Sequence, residues 1–162
     1  MENNLLKPTK IHTLGDYYET EYLREDCHNA KAGNQVTMND AAIRLAKSLP
    51  KDCILVPIPS LSGNNESFAR MLSFYSQKSI SYCLQRGRGY GSLYQMKKDG
   101  CKVTEEDTGI WCNGGAPNGL IVLVDNVIAT GTTMSAAIRA IGKPCEAVCI
   151  AVDFNTYKTY GK

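Results

Sequence analysis

The sequence predicts an α/β protein with a three-layer, doubly wound and mostly parallel sheet. Two patterns support this: short runs that are apolar at every position, and segments between them whose apolar residues recur at helical spacing. Continuous apolar strands are typical of strands covered on both faces, and their alternation with helices is typical of a parallel sheet. The length of 162 residues corresponds to a single domain, so we expect one core.

Three amphipathic helices are predicted from the spacing of apolar residues. The first is expected to begin at Thr37, which has capping-box-like spacing to Asp40, and to end at Pro50. The apolar positions that define the three helices are Met38, Ala41, Ala42 and Leu45; Phe68, Met71, Leu72 and Tyr75; and Met134, Ala137, Ile138 and Ile141.

Four strands are predicted, at residues 53–56, 80–84, 120–124 and 147–152. In doubly wound folds, ligands bind where the carboxyl ends of the parallel strands meet. Polar residues follow Val56 and Val124, so we expect these two strand ends to lie near each other and to form the site.

Two regions lack a clear period. Residues 1–36 are polar and include Tyr17, Tyr18 and Tyr22, and we interpret them as an N-terminal appendage packed on the core of residues 37–162. Residues 86–118 are rich in glycine, lysine and polar residues. So long a segment without an obvious element is unusual in a compact domain, and it is interpreted either as a flexible lid or as a segment that contains a hairpin.

The charge balance excludes several classes of partner. Eighteen Lys and Arg against 16 Asp and Glu give a formal charge of +2, which does not indicate general nucleic-acid binding or a membrane surface. The longest aliphatic run, Leu120–Val124, is far too short for a membrane span. No secretory leader is visible at the N-terminus, so a cytoplasmic location is expected.

Seven cysteines are scattered along the chain without a Cys-x-x-Cys pair. We interpret them as small buried hydrophobes in a reducing compartment, with a disulfide framework as the less favoured alternative. A zinc site is disfavoured because His12 and His28 are the only histidines and neither has ligand spacing. No residue is expected to bind a metal ion directly.

Residues 122–134 carry the strongest functional signal. A buried strand ends at Asp125, a loop with Gly131 and three threonines follows, and a helix begins. A helix N-terminus offers unpaired N–H groups and a positive dipole end, and glycine lets a ligand approach the backbone closely. The pattern predicts a phosphate site with an acid placed for hydroxyl groups or a hydrated Mg²⁺. The alternative is that the threonines only cap the helix.

This segment resembles the phosphoribosyl-pyrophosphate (PRPP) signature of the type I phosphoribosyltransferases. The matching residues are Asp-Asn-Val-Ile-Ala-Thr-Gly-Thr-Thr, at positions 125–133. The resemblance implies a type I phosphoribosyltransferase fold, with PRPP as substrate, Mg²⁺ as cofactor and a homodimer as the assembly. It implies that phosphoribosyl is transferred to a nitrogenous base and that pyrophosphate is released.

The resemblance also implies roles for single residues. Asp125 and Asn126 would be the catalytic pair that holds the ribose, although Asn126 stands where the family usually has a second acid. An asparagine still forms hydrogen bonds to a hydroxyl but lacks the charge. The 5′-phosphate would be bound by Ala129, Thr130, Gly131, Thr132 and Thr133.

A second segment resembles the competence-associated, ComF-type members of that family. Val-Pro-Ile-Pro-Ser at 56–60 is followed by Gly-Asn-Asn-Glu at 63–66, although the arginines typical of those members are missing. This resemblance implies that Ser60, Leu61 and Ser62 form a pyrophosphate loop. An ordinary proline-rich strand exit is the alternative.

The same resemblance makes the segment 86–118 a lid. A closed lid would exclude water, and its cations would neutralise the leaving pyrophosphate. The candidates are Arg86, Arg88, Lys97, Lys98 and Lys102. The alternative is that these residues belong to a solvated basic loop.

Three functions remain open from the sequence. The first is a phosphoribosyltransferase of nucleotide metabolism. The second is a non-catalytic protein of the same fold that binds PRPP or a nucleotide in a regulatory role, which the neutral Asn126 favours. The third is a protein that binds another sugar phosphate. The partner is a small molecule in all three.

Overall fold

The computed structural model describes residues 4–87, 99–100 and 103–157. In chain order its elements are β1 (Ile11–Thr13), α1 (Glu21–Lys31), α2 (Gln35–Ala46), β2 (Cys53–Pro57), α3 (Asn64–Ser76), β3 (Ser79–Ile80), β4 (Leu84–Arg86), a 3₁₀ turn (Glu106–Thr108), β5 (Ile110–Cys112), β6 (Leu120–Val124), β7 (Val127–Ile128), α4 (Thr132–Ile141), β8 (Glu146–Cys149) and β9 (Ala151–Val152).

The centre of the protein is a five-stranded sheet in the order β1-β8-β6-β2-β3, and all its strands are parallel. Strands β2 and β6 are neighbours, with Pro57 opposite Val124. The chain therefore leaves both strands at the same edge of the sheet, as the sequence predicted.

Helices cover both faces of this sheet, which confirms the three-layer α/β prediction. Along β6, Val122 and Val124 face a core cluster that also contains the buried residues of α1, α2 and α3. Ile121 and Leu123 face the opposite cluster, which contains the apolar side of α4 and the start of β4. Because both faces are buried, every interior residue of β6 is apolar.

The N-terminal region contributes to the same layers. Strand β1 pairs with β8 and forms one edge of the central sheet. Helix α1 places Leu23, Cys27 and Ala30 in the core. Tyr17 packs against this cluster, so the residues interpreted as an appendage supply a strand and a helix of the main body.

The first predicted helix was right in its apolar face and wrong at its ends. It begins at Gln35, because the side chain of Asn34 accepts a hydrogen bond from the Thr37 N–H at 3.1 Å and caps the helix three residues earlier than expected. It ends at Ala46, before Pro50 is reached.

Two predicted strands are each divided in the structure. Residues 80–84 belong to β3 and β4, which lie in different sheets. Residues 147–152 divide at Ile150, whose N–H donates to the Asn126 carbonyl at 2.8 Å while its own carbonyl accepts from the Leu14 N–H. After this break β9 pairs with β7 in a separate two-stranded sheet.

The segment 86–118 contains the base of a hairpin, which is one of its two predicted interpretations. Strands β4 and β5 pair antiparallel, with Arg86 opposite Ile110. Arg88, Lys97, Lys98 and Lys102 lie outside the described residues. A role as a lid therefore stays a prediction.

Six of the seven cysteines lie in the described part of the chain, and all six are free thiols. Burial raises the pKa of Cys27 and of Cys145 to about 11, so these thiols are protonated at neutral pH. Within the described ranges, no helix has the length and apolar character needed to cross a membrane.

Candidate functional site

The ends of β2 and β6 are joined by one buried side chain, that of Asn65 in the first turn of α3. Its Nδ2 donates to the Ile58 carbonyl at 3.0 Å and to Asp125 Oδ1 at 3.2 Å. Its Oδ1 accepts from the Asn126 N–H at 3.1 Å. No sequence pattern indicated a role for Asn65, although it lies within the ComF-type segment at 63–66. These bonds fix Asp125 at the carboxyl edge of the sheet.

Asp125 occupies a poorly solvated position at the end of β6. Burial raises the pKa of its carboxyl group to about 6. Hydrogen bonds from the Asn126 N–H and from Asn65, together with the positive charge of Lys31, oppose this shift in pKa. Above pH 6 the group is mainly an anion in a site that solvates it poorly, so it gains from a ligand that donates hydrogen bonds or brings positive charge.

Lys31 is a second residue that the sequence analysis did not assign to the site. It is the last residue of α1, and its carbonyl accepts from Asn64 Nδ2 at 2.8 Å. The end of α1 therefore adjoins the beginning of α3. Only the folded chain brings this cation near Asp125, because 94 positions separate them in the sequence.

A pocket of about 130 Å³ lies between Asp125 and the loop that begins α4. Four of the five residues predicted to bind the 5′-phosphate line it together with Asp125. The full lining is Asp125, Val127, Ile128, Ala129, Thr130, Gly131, Thr133 and Met134. The structure thus brings the acid and most of the loop together around one small cavity.

Gly131 is the residue that immediately precedes α4, and its backbone requires glycine. Its φ angle is +85°, which lies in the left-handed region. A Cβ atom at this position would lie 2.3 Å from Cε2 of Tyr157, whose ring is buried against the loop. The C-terminal turn therefore supports the loop, a role for Tyr157 that no sequence pattern indicated.

Thr132 and Asn126 do not line this pocket. Thr132 borders a separate cavity, formed with residues 4–5 and 103–106, and its hydroxyl accepts from Thr130 Oγ1 at 3.2 Å. The Asn126 side chain is only 6% exposed, and its Oδ1 has no hydrogen-bond partner within the described residues. Asp125 and Thr133 line the pocket, whereas Thr132 and Asn126 do not. The structure therefore gives no support to the predicted roles of Thr132 and Asn126.

The predicted pyrophosphate loop is occupied by a side chain of the protein itself. Glu66 accepts from the Ser60 N–H and from the Ser60 hydroxyl, both at 2.9 Å. Ser62 Oγ accepts from the Asn64 N–H at 3.3 Å, and the Leu61 side chain is exposed. The donors of Ser60 thus already bind an anion.

Arg86 is the described member of the predicted lid cations. It is the last residue of β4, and partial burial lowers the pKa of its guanidinium group, which remains charged at neutral pH. Arg86 does not line the pocket beside Asp125.

No protein-family model matches this sequence, and no curated protein matches it either. Among solved structures, the chain is similar to the purine phosphoribosyltransferase from Pyrococcus horikoshii Ot3, with 16% sequence identity and a TM-score of 0.40. The alignment covers 87% of this chain and 78% of that chain.

Proposed function

We propose that this protein binds the 5′-phosphate of a ribose compound in the pocket between Asp125 and residues 129–133. The observation that carries the proposal is the shared pocket itself: a carboxylate, hydroxyl groups and the N-terminus of a ten-residue helix line one cavity of about 130 Å³. The first-turn amides of a helix have no intrahelical partner, so they favour an anion.

Each side of the pocket would recognise a different part of the ligand. The backbone of residues 129–133 and the Thr133 hydroxyl would donate to the phosphate, which accepts hydrogen bonds on all its oxygens. The Asp125 carboxylate accepts but does not donate, so it would bind the ribose hydroxyls. A phosphate beside the carboxylate would be repelled, which orients the sugar.

Mg²⁺ is compatible with this site as a companion of the ligand. Within the described residues there is no group of three His, Cys, Asp or Glu side chains that could hold a metal ion. Mg²⁺ keeps several waters and needs one or two carboxylates besides the phosphates of its substrate. Asp125 would supply that carboxylate, and the ion would neutralise phosphate charge.

The reaction that the family resemblance implies is transfer of phosphoribosyl from PRPP. A nitrogen of the acceptor base forms a bond to C1 of the ribose and loses its proton to solvent. The bond from C1 to the pyrophosphate oxygen breaks, and its electron pair leaves on pyrophosphate. The pocket would hold the ribose phosphate in place during this exchange. Charge stabilisation of the leaving group would come from Mg²⁺ and the lid cations.

A second candidate function is binding without catalysis, in a sensory or regulatory role. Two observations favour it. Asn126 is neutral and buried at the position where the resembled family has a second acid, and Glu66 places a negative charge on the loop that would hold pyrophosphate. Both features would disfavour the departure of pyrophosphate. Neither changes the pocket proposed for the 5′-phosphate.

Thermal unfolding with added ligands tests the proposed binding. Ribose 5-phosphate, a nucleoside 5′-monophosphate, and PRPP with Mg²⁺ would each be added at increasing concentration. A ligand at 100 times its Kd stabilises the fold by about 2.7 kcal/mol, so the Tm should rise. Ribose without phosphate is the matched control. An unchanged Tm with all three phosphorylated compounds would contradict the proposal.

Pyrophosphate release separates the two candidate functions. The protein would be incubated with PRPP, Mg²⁺ and a panel of purine and pyrimidine bases. Turnover that disappears when Asp125 is replaced by Asn supports transfer. Binding without turnover supports the regulatory candidate.

A further inference from the structure

We infer that Glu66 makes this site select ribose compounds that carry only a 5′-phosphate over compounds that also carry pyrophosphate on C1. The inference rests on the proposed function, because it concerns which ligand the pocket beside Asp125 accepts. Glu66 would be a specificity-determining residue, and the preferred ligands would be ribose 5-phosphate and nucleoside 5′-monophosphates.

The Ser60 loop, residues 60–62, lies beside the proposed ribose site. Ser60 Oγ accepts from the Asn65 N–H at 3.3 Å, and the Asn65 side chain donates to Asp125 Oδ1 at 3.2 Å. The two loops therefore lie on either side of Asp125, joined by one residue. A ribose held at Asp125 with its 5′-phosphate in the pocket would point its C1 substituent away from the pocket along this edge of the sheet. A second helix N-terminus at this edge is that of α3, and the Ser60 loop leads into it.

Four donors at the Ser60 loop and at the start of α3 already have acceptors within the protein. Glu66 contacts Ser60 through both carboxylate oxygens, one on the N–H and one on the hydroxyl, each at 2.9 Å. The N–H groups of Asn64 and Asn65 donate to the hydroxyls of the two serines. An anionic group of the ligand that binds the Ser60 donors would have to displace Glu66.

Charge also disfavours pyrophosphate at the Ser60 loop. Glu66 lies in the first turn of α3, where the helix dipole stabilises an acid, so leaving Ser60 is unfavourable. If Glu66 stays in place, its negative charge faces the incoming pyrophosphate. Arg70, one turn further along α3, donates to Ser67 rather than to the loop. The first turn of α4 contains no acid, and there the pocket is open.

The test is a comparison of two Kd values on the wild-type protein, measured by calorimetry for ribose 5-phosphate and for PRPP. Each titration would be run with Mg²⁺ and again with a chelator, because Mg²⁺ screens pyrophosphate charge. We expect PRPP to bind more weakly than ribose 5-phosphate in both conditions. PRPP binding that is as tight or tighter, in either condition, would overturn the inference while leaving the proposed function standing.

The variant Glu66→Gln then assigns the selectivity to Glu66. Its amide oxygen still accepts from Ser60, while the negative charge is lost. We expect PRPP binding to strengthen by about tenfold, which corresponds to about 1.4 kcal/mol, and ribose 5-phosphate binding to stay unchanged. Glu105→Gln is the matched control, because Glu105 pairs with Arg139.

The outcomes separate the two proposals. If neither ligand binds the wild-type protein, the proposed function fails and the inference fails with it. If PRPP binds more weakly than ribose 5-phosphate and Glu66→Gln changes neither Kd, the selectivity does not come from Glu66 and the inference alone is overturned. Equal strengthening of both ligands would show a general charge effect, which also contradicts a specific role for Glu66.

Discussion

The two loops at the carboxyl edge begin alike and end differently. Each follows a buried strand, each reaches a glycine with a left-handed φ, +77° at Gly63 and +85° at Gly131, and each opens a helix whose preceding glycine has no side chain to cap it. At the first loop, Glu66 in the first turn of α3 binds the Ser60 donors. At the second loop no acid is present in the first turn of α4, and a pocket remains.

The difference shows that a strand–glycine–helix pattern alone does not make a phosphate site. A helix N-terminus needs an anion or other acceptors, and the chain can supply them itself. The residue three positions after the glycine is Glu at the first loop and Met134 at the second. At the first loop this position supplies an acceptor for the Ser60 donors, and at the second loop it supplies none.

Replacing the two glycines by alanine is expected to produce the largest change in the free energy of unfolding. Gly131→Ala should lower the free energy of unfolding by about 3 kcal/mol or more, because a strained backbone adds to overlap with the buried Tyr157 ring. Gly63→Ala is the matched control. It carries the backbone strain alone, since its nearest non-neighbouring atom would be 3.9 Å from the new Cβ, and should cost about 1 kcal/mol.

Urea unfolding of the two variants gives this difference directly. Gly131→Ala should also abolish the thermal shift with ribose 5-phosphate. Equal losses of stability in the two variants would show that Tyr157 does not constrain the second loop.

The next effect concerns Asp125 and depends on pH. Because the folded-state pKa is raised from 3.8 to about 6, the ionised carboxylate destabilises the fold above pH 6, and this penalty disappears as pH falls below about 4. Asp125→Asn keeps an acceptor for the Asn126 N–H and removes the charge. At pH 7 the variant should be more stable by up to about 3 kcal/mol, from about two pKa units at 1.36 kcal/mol each.

Stability curves measured between pH 4 and pH 8 check the sign. The two proteins should have similar stabilities near pH 4, diverge between about pH 4 and pH 6, and keep a constant difference at higher pH. Parallel curves over this range would mean that burial does not raise the pKa of Asp125.

A smaller loss is expected from the link between the two loops. Asn65→Ala leaves the Ile58 carbonyl, the Asn126 N–H and one Asp125 contact without this partner, and should cost about 2 kcal/mol. Asn64→Ala is the control, because Asn64 is more exposed and its side chain bonds a single carbonyl. Chemical unfolding should show a loss below about 1 kcal/mol for this control. Similar losses in both variants would contradict a linking role for Asn65.

The smallest effect is expected on ribose 5-phosphate binding when the adjacent residues Thr132 and Thr133 of the second loop are replaced one at a time. Thr133 lines the pocket, whereas the Thr132 hydroxyl contacts Thr130 and borders a different cavity. Thr133→Val should therefore weaken ribose 5-phosphate binding by about tenfold, the worth of one hydrogen bond to a charged group. Thr132→Val should change the Kd much less. The reverse order, measured by calorimetry, would place the phosphate on the other side of the helix.

Much of the fold followed from local patterns. The runs that became β2 and β6 and the helical spacing in α2, α3 and α4 were read correctly, because a residue buried in this architecture must be apolar at fixed intervals. The predicted strand boundaries are wrong where long-range hydrogen bonds divide a continuous apolar run, as at Ile150. The sequence does not decide between a lid and a hairpin for residues 86–118, because the two strands at the base of the hairpin are only three residues each.

Adjacent residues alone establish two features of the site. An acid follows one central strand, and a loop of glycine and threonines precedes the next helix. Tertiary structure decided which of these residues share a pocket, and it brought Asn65, Glu66, Lys31 and Tyr157 to the site. Those residues arrive from separate helices and from the C-terminal turn. Their proximity depends on strand order and packing, which no local spacing encodes.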